Sequence, residues 1–312
     1  MTPSISVVIA AHNAERFLWE TLASLQRQRF TDFETIVVDD GSTDRTRLIA
    51  NRPQCKVVSI TRSGVSTARN TGLALAKAPA ILFLDSDDVL EADALTSLWQ
   101  GLITQPHAIA VIGQHLKFWN NEIEDPKMAI LRGRMMPEND SLKFLLRRNF
   151  IVNGGTILIR TDAARNSGGF DPRLRLGEDW DFWCRLALKG SFCILRDKVV
   201  LHYRQRSDGA QSGLRGNPLK LNDEAILSIF SHPDIRSRFS WTELWLSRRF
   251  VRQDIFWSEA RVHMLRKNWG LLFAYVSIGL VQWPETFFQF QHLTRYYHGT
   301  KNALKALRLE NK

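Results

Sequence analysis

The chain of 312 residues is poor in cysteine, with Cys55, Cys184 and Cys193 at wide, unpatterned spacing. That excludes a disulfide framework and a paired-cysteine zinc site, and it fits a reducing compartment. Glycine (18) and proline (10) follow no tripeptide period, which excludes collagen and low-complexity disorder. No Gly-x-Gly-x-x-Gly follows the first apolar run, which argues against a dinucleotide-dependent dehydrogenase. Solenoid-length repeats are absent. Met1–Ser4 lacks a basic leader and Ile5–Ala11 is strand-sized, so no signal peptide is expected. What the chain does carry is ordinary globular usage, 44% hydrophobic and 24% charged, with a net charge of +10. Such a charge points to nucleic acid, an anionic membrane surface or a phosphorylated ligand.

Strand-like and helix-like segments alternate in the first part. Ile5–Ala10 is a short apolar run, and Ala14–Gln28 places Phe17, Leu18, Leu22 and Leu25 at helical spacing. Phe33–Val38, Lys56–Ile60 and Ala80–Leu84 read as further strands, with a helix over Val65–Lys77 and Ser42/Thr43 as N-cap candidates for another. This order predicts an α/β fold, a mostly parallel Rossmann-like sheet with helices on both faces. Farther on, Ala108–Gly113 and Thr156–Arg160 look like strands, Ser141–Asn149 and Glu178–Lys189 like helices. Past residue 213 strand-like runs vanish, and residues 213–312 hold five of the ten Trp and +7 of the +10. The expected organisation is a catalytic domain over 1–212, divided near 113 into halves 1–113 and 114–212, and a helical, basic, aromatic region over 213–312.

Carboxylates at strand ends are the strongest chemical signal. In a doubly wound sheet, ligands bind at the carboxyl ends of parallel strands. His12-Asn13, Asp39-Asp40-Gly41-Ser42 and Asp85-Ser86-Asp87-Asp88 all stand at such ends. One acidic pair there is commonly a helix cap or an Asx turn. Two such clusters repel each other unless a cation lies between them, and Mg²⁺ or Mn²⁺ with a diphosphate suits that geometry.

Ile5-Ser-Val-Val-Ile-Ala-Ala-His-Asn, Val37-Val-Asp-Asp-Gly-Ser-Thr-Asp, Gly64-Val-Ser-Thr-Ala-Arg-Asn-Thr-Gly and Phe83-Leu-Asp-Ser-Asp-Asp together resemble the nucleotide-binding half of family 2 glycosyltransferases of the GT-A fold. The resemblance covers roughly residues 4–210. It departs at Ala10-Ala11-His12, where family members usually carry Pro and Tyr. The resemblance implies that Asp40 bonds the base of a nucleotide sugar, with Ala11 and Asn13 lining the same slot. Arg69 would lie near the nucleotide, Asp85 would face the ribose, and Asp87 with Asp88 would hold the metal. Asp44 reads better as helix-start charge.

Leu176-Gly-Glu-Asp-Trp-Asp-Phe-Trp forms a second constellation. Inverting sugar transfer needs a general base at the acceptor hydroxyl. The resemblance gives that role to Asp179, with Glu178 beside it, and desolvation would raise its pKa. Trp180 and Trp183 suit sugar stacking, and their spacing equally suits a core. His202-Tyr-Arg-Gln-Arg-Ser follows; Arg204 or Arg206 would grip the diphosphate, Ser207–Ser212 would form a lid, and His202 reads as a satisfied buried histidine. No Gln-x-x-Arg-Trp motif is present, so the resemblance implies a single transfer rather than a processive synthase.

In the tail, Trp241–Leu265 reads as a long helix. Trp269–Trp283 carries no charge and is bracketed by Arg266-Lys267 and Pro284-Glu285. It is shorter than the ~20 residues of a spanning helix, and fits both an interfacial segment on an anionic membrane and a buried helix. The expected partners are therefore a nucleotide-sugar donor, UDP-linked by resemblance, a saccharide or lipid-linked saccharide acceptor and a cytoplasmic membrane face. Nucleic acid is not expected, since no binding motif accompanies the charge. A nucleotidyltransferase and a non-catalytic binding protein on the same fold remain as alternatives. The first would need a Gly- and Lys-bearing phosphate loop, which Ala11-His12-Asn13 lacks; the second ought to have lost carboxylates that are all present.

Overall fold

The computed structural model describes residues 2–119, 122–137, 140–206, 218–265, 270 and 277–278. Its first half alternates strands β1 (Ile5–Ala11), β2 (Phe33–Asp40), β3 (Cys55–Ile60) and β4 (Ala80–Asp85) with helices α1 (Leu18–Gln26), α2 (Thr46–Ala50) and α3 (Val65–Leu75). Next come β5 (Val89–Leu90), α4 (Ala94–Thr104), β6 (Ala108–Trp119), β7 (Glu122–Ile123), α5 (Pro126–Arg134) and α6 (Ser141–Leu145). A 3-10 turn (Gly154–Thr156), β8 (Ile157–Arg160), α7 (Thr161–Asn166), α8 (Glu178–Ala187) and β9 (Ser191–Arg204) complete the sheet region. Helices α9 (Pro218–Ser231), α10 (Pro233–Arg238) and α11 (Trp241–Leu265) follow, the last with the bounds the sequence suggests.

The strands form one sheet in the order β3-β2-β1-β4-β8-β6-β9-β5, with β7 paired to β6. The parallel expectation holds for β3, β2, β1 and β4. Beyond β4 the sheet is mixed: β8 runs antiparallel to both its neighbours, β6 pairs parallel with β9, and β5 pairs antiparallel with β9. Strand order reverses between β1 and β4, the topological switch point where such sheets bind ligands. There Ala11 registers with Asp39, and Ala10 with Asp85, so the acidic strand ends stand side by side.

Both faces of the sheet are covered. Along β1, Val8 joins a core with α3, α8 and α9 residues, whereas Val7 and Ile9 pack with Leu18, Leu22, Leu95 and Leu98 of α1 and α4. That alternation is why the strand reads as a continuous apolar run. Gly72 permits the close contact of α3, since a Cβ there would sit 2.2 Å from a methyl of Val8. Ala225, Ile226 and Ile229 of α9 and Val251 of α11 belong to the same core as the sheet. The boundary expected at residue 113 lies inside β6, which runs on to Trp119.

The first helix starts later than its periodicity suggests. Ala14 N–H donates to Thr46 Oγ1 at 2.7 Å, and Glu15 N–H to Asp44 Oδ2 at 3.1 Å, which hold the chain in a loop until Leu18. Ser42 accepts from Asn13 N–H at 3.1 Å and caps no helix; α2 begins at Thr46. Cross-loop bonds thus outcompete local caps.

Candidate active site

The residues that the resemblance places around a nucleotide base gather at the ends of β1 and β2. Asp40 is 2% exposed and its carboxylate is fully engaged by the following loop. Ser63 N–H donates to Oδ1 at 2.7 Å, Gly64 N–H to Oδ2 at 3.0 Å, and Arg62 Nη1 closes an ion pair with Oδ2. Ala11 is buried beneath the strand end. Asn13 adopts φ 46° and accepts from Thr43 N–H at 2.9 Å, so it links the loops after β1 and β2. Arg62 was not foreseen, although its place before the Ser63-Gly64 turn was a signal.

The three carboxylates at the end of β4 have different surroundings. Asp85 and Asp87 are partly exposed at 29% and 25%, while Asp88 is wholly buried. Asp85 pairs with Arg69 at 2.7 Å and accepts from Asn153 Nδ2 at 3.1 Å. Asp88 accepts from Arg204 N–H at 2.8 Å and from Asn153 Nδ2 at 2.5 Å. Both of its oxygens are therefore occupied, and Asp88 anchors the turn to β9 instead of opening toward a cation. Burial, with Asp85 beside it, pushes the Asp87 carboxyl up against the pull of Arg206. Burial and its two acidic neighbours push Asp88 well up. Asn153 was missed in the sequence, though Asn-Gly-Gly marks a turn there.

Arg204 differs from expectation. Its guanidinium donates to the Asp87 carbonyl at 2.7 Å and to Glu20 at 2.8 Å, and lies 4.7 Å from the Phe17 ring centroid and 4.4 Å from that of Phe118. A side chain so committed is a latch rather than a diphosphate grip. Arg206 does reach the acidic cluster, donating to Asp87 Oδ2 at 3.0 Å above the Phe17 ring. The Ser207–Ser212 lid falls outside the described residues, as does the Trp269–Trp283 segment except for 270 and 277–278. His202 is satisfied as expected, with Nε2 2.5 Å from Glu91 Oε1.

Glu178 and Asp179 open α8 after Gly177, which takes φ 79°. Arg69 is 7% exposed, so it is an internal bridge: it donates to Asp85 on one side and to Glu178 Oε1 at 3.1 Å on the other, lying over the Phe170 ring. Asp179 receives one hydrogen bond among the described residues, from Trp180 N–H at 2.6 Å. Burial and the Glu178 charge push its carboxyl up to about 7, against the pull of Arg69. Trp180 and Trp183 are corrected: they are 5% and 0% exposed and lie in the core with Phe170 and Phe182, so neither offers a face to a sugar. At three-residue spacing both fall on the inner face of α8.

The geometry is thus a cluster of carboxylates at a switch point, with Asp85 at the end of β4 joined by Arg69 to Glu178 at the start of α8. The family model of glycosyl transferase family 2 matches residues 6–168. The chain belongs to glycosyl transferase family 2. Among curated relatives, the uncharacterized glycosyltransferase EpsJ of Bacillus subtilis is 36% identical over 194 residues, covering 58% of this chain and 55% of that one. The poly(ribitol-phosphate) β-N-acetylglucosaminyltransferase TarS of Staphylococcus aureus is 27% identical over 229 residues, 68% of this chain and 38% of its own length. The chain thus spans about half, or less, of these relatives. A crystal structure of S. aureus TarS residues 1–349 in complex with UDP-GlcNAc superposes with a TM-score of 0.64 at 20% identity, covering 91% of this chain and 82% of that one, and shows the shared fold. No described helix is long and apolar enough to cross a membrane.

Proposed function

We propose that this family 2 glycosyltransferase moves a sugar, with inversion, from a nucleotide diphosphate to an acceptor hydroxyl. The observation that carries the reading is Asp179, a carboxyl held near pH 7 and joined through Glu178 and Arg69 to Asp85. A base poised near neutrality takes the acceptor proton as the sugar's bond to phosphate breaks. Arg69 keeps Glu178 and Asp85 neutralised, so the reacting groups stay in register.

Asp85 and Asp87 fit a hard divalent cation, because two partly exposed carboxylates sit together and burial leaves Asp87 short of compensation. Among the described residues no three acidic, His or Cys side chains converge on one point. Asp87 is therefore the cation ligand of this reading, with diphosphate and water completing the shell. Bound Mg²⁺ or Mn²⁺ would offset charge on the departing diphosphate. Arg206, now on Asp87, is the side chain placed to transfer its charge to the donor. The donor is UDP-linked by analogy with the complex TarS forms, and the acceptor is a saccharide or lipid-linked saccharide.

The test is a nucleotide-sugar panel, with and without Mn²⁺, scored for hydrolysis and thermal stabilisation. Stabilisation by one donor class, dependent on Mn²⁺ and lost in Asp87→Ala while kept in Asp179→Asn, supports the reading; a panel without effect overturns it. A peripheral contact with an anionic membrane face belongs to the same proposal. Trp241 and Trp245 stack at 6.4 Å and are 75% and 49% exposed, with Arg249 over the second ring. Vesicle sedimentation of Trp241→Ser/Trp245→Ser tests it, and binding to anionic vesicles equal to wild type would refute it.

A further inference from the structure

The start of α8 is gripped by α9, a helix that lies past the matched family region, which ends at residue 168. Ser228 of α9 donates from Oγ to Asp181 Oδ1 at 2.7 Å, and Asp181 is 2% exposed. One turn earlier on α9, Ala225 packs on Gly177, where an added Cβ would lie 2.8 Å from the Ala225 Cβ. Residues three apart share a helix face, so Ala225 and Ser228 meet α8 together. Gly177 and Asp181 are the two ends of the first turn of α8, closed by Asp181 N–H donating to the Gly177 carbonyl at 3.0 Å. Ala225, Ile226 and Ile229 are buried in the core that holds Trp180, Phe182 and Trp183. Behind them, Arg252 of α11 pairs with Asp223 of α9 at 2.7 Å.

Each neighbour of Asp179 in that turn has an anchor of its own. Glu178 is tied to Arg69, and Trp180 donates from Nε1 to the Leu145 carbonyl of α6 at 2.9 Å. Asp181 divides its oxygens between Ser228 and Arg185 of its own helix. Asp179 has only the Trp180 N–H among the described residues. Its carboxyl therefore stands where the backbone of the turn puts it, and α9 holds both ends of that turn. Without the Ser228 hydroxyl, a buried charged acceptor would be one donor short, which costs more than a lost surface contact. The turn would then shift toward another donor and carry Asp179 with it.

We infer that Ser228 and Ala225 of α9 are positioning residues: by gripping Asp181 and Gly177 they aim the Asp179 carboxyl at the acceptor hydroxyl. The inference rests on the base reading of Asp179 and gives the helical region past the sheet a part in the reaction.

The test uses the full chain, the nucleotide sugars of the panel above with water as acceptor, and released nucleoside diphosphate as the readout. Ser228→Ala should lower kcat about tenfold, a fraction of the ~100-fold that a 1 Å misplacement of a reacting group costs, with donor KM unchanged. Ser228→Thr keeps the hydroxyl and should restore kcat. Ala225→Gly loosens the other grip without leaving a polar group unpaired, and should lower kcat in the same direction by a smaller factor. Leu227→Ala, on the outer face of α9 at 60% exposure, should match wild type. A thermal melt confirms that each variant is folded, and Ala225→Gly carries the test if Ser228→Ala is not. A lower melting temperature with wild-type kcat would make the grip purely structural and overturn the inference. So would a donor KM that rises in step with the loss of kcat, or a loss that Ser228→Thr does not recover. Asp179→Asn separates the two readings: turnover in that variant removes the base itself, whereas its loss beside wild-type kcat in Ser228→Ala removes only the positioning. If wild type releases nucleoside diphosphate from none of the panel, the transfer reading falls and this inference with it.

Discussion

The carboxylates at the ends of β2 and β4 and those at the start of α8 are the same chemical groups in different hydrogen-bonding surroundings. Asp40 and Asp88 each collect two or three N–H donors and sit almost out of solvent. Asp179 has a single donor from its own neighbour and the Glu178 charge at its side, and it rises to about 7. Donors fix the geometry of Asp40 and Asp88, although burial and two acidic neighbours still push the Asp88 carboxyl well up; Asp179, with one donor, is not tied down in this way. On the proposed reading, one helix start and two strand ends divide the holding of a ligand from the handling of a proton, with Arg69 between Asp85 and Glu178.

The sharpest way to break this contrast is Asp179→Asn. It should lower kcat by about 10³-fold, within the usual range for removing a general base, while Mn²⁺-dependent donor binding is retained in calorimetry. Stability should not fall, since the change removes a costly buried charge. Near-wild-type turnover would take the proton role away from Asp179.

Arg69→Ala tests the bridge. It leaves Glu178 and Asp85 without their shared counter-charge, which should cost about 3 kcal/mol in denaturant unfolding, the scale for breaking a buried pair. The pH dependence sharpens the same point. Below about 7 the Asp179 carboxyl holds its proton and cannot take another, so kcat/KM should fall roughly tenfold per pH unit on the acid side. Asp179→Asn should flatten that limb. Arg29→Ala is the smallest change, because Arg29 and Asp93 form a pair 75% and 55% exposed. Less than about 1 kcal/mol is expected from urea unfolding.

Much of the fold could be read along the chain. Apolar runs such as Ile5–Ala10 and Ala80–Leu84 are strands because both sheet faces are covered, which makes them continuous in hydrophobicity. Even α11 was visible with its bounds, from the length of its helical pattern. The antiparallel strand β8 could be seen as an element, but its direction could not, since direction depends on which neighbours a strand finds. The site followed the same division. Asp40, Asp85, Asp87 and Asp179 announce themselves by their places at strand and helix ends, whereas Trp180 and Trp183 carried no sign of which way they face.

The sequence by itself determined the family, the strand and helix order at the nucleotide end, and the acidic positions that matter. These follow from local pattern, in which each residue's neighbours along the chain decide its periodicity. Only the tertiary structure decided how each acid is used. Asp88 is sealed by Asn153, 65 residues away; Asp40 is capped by Arg62, and Glu178 is tied to Arg69 across 109 residues. Burial and charge compensation are sums over groups that meet only when the chain is folded, so identical aspartates acquire different chemistry there.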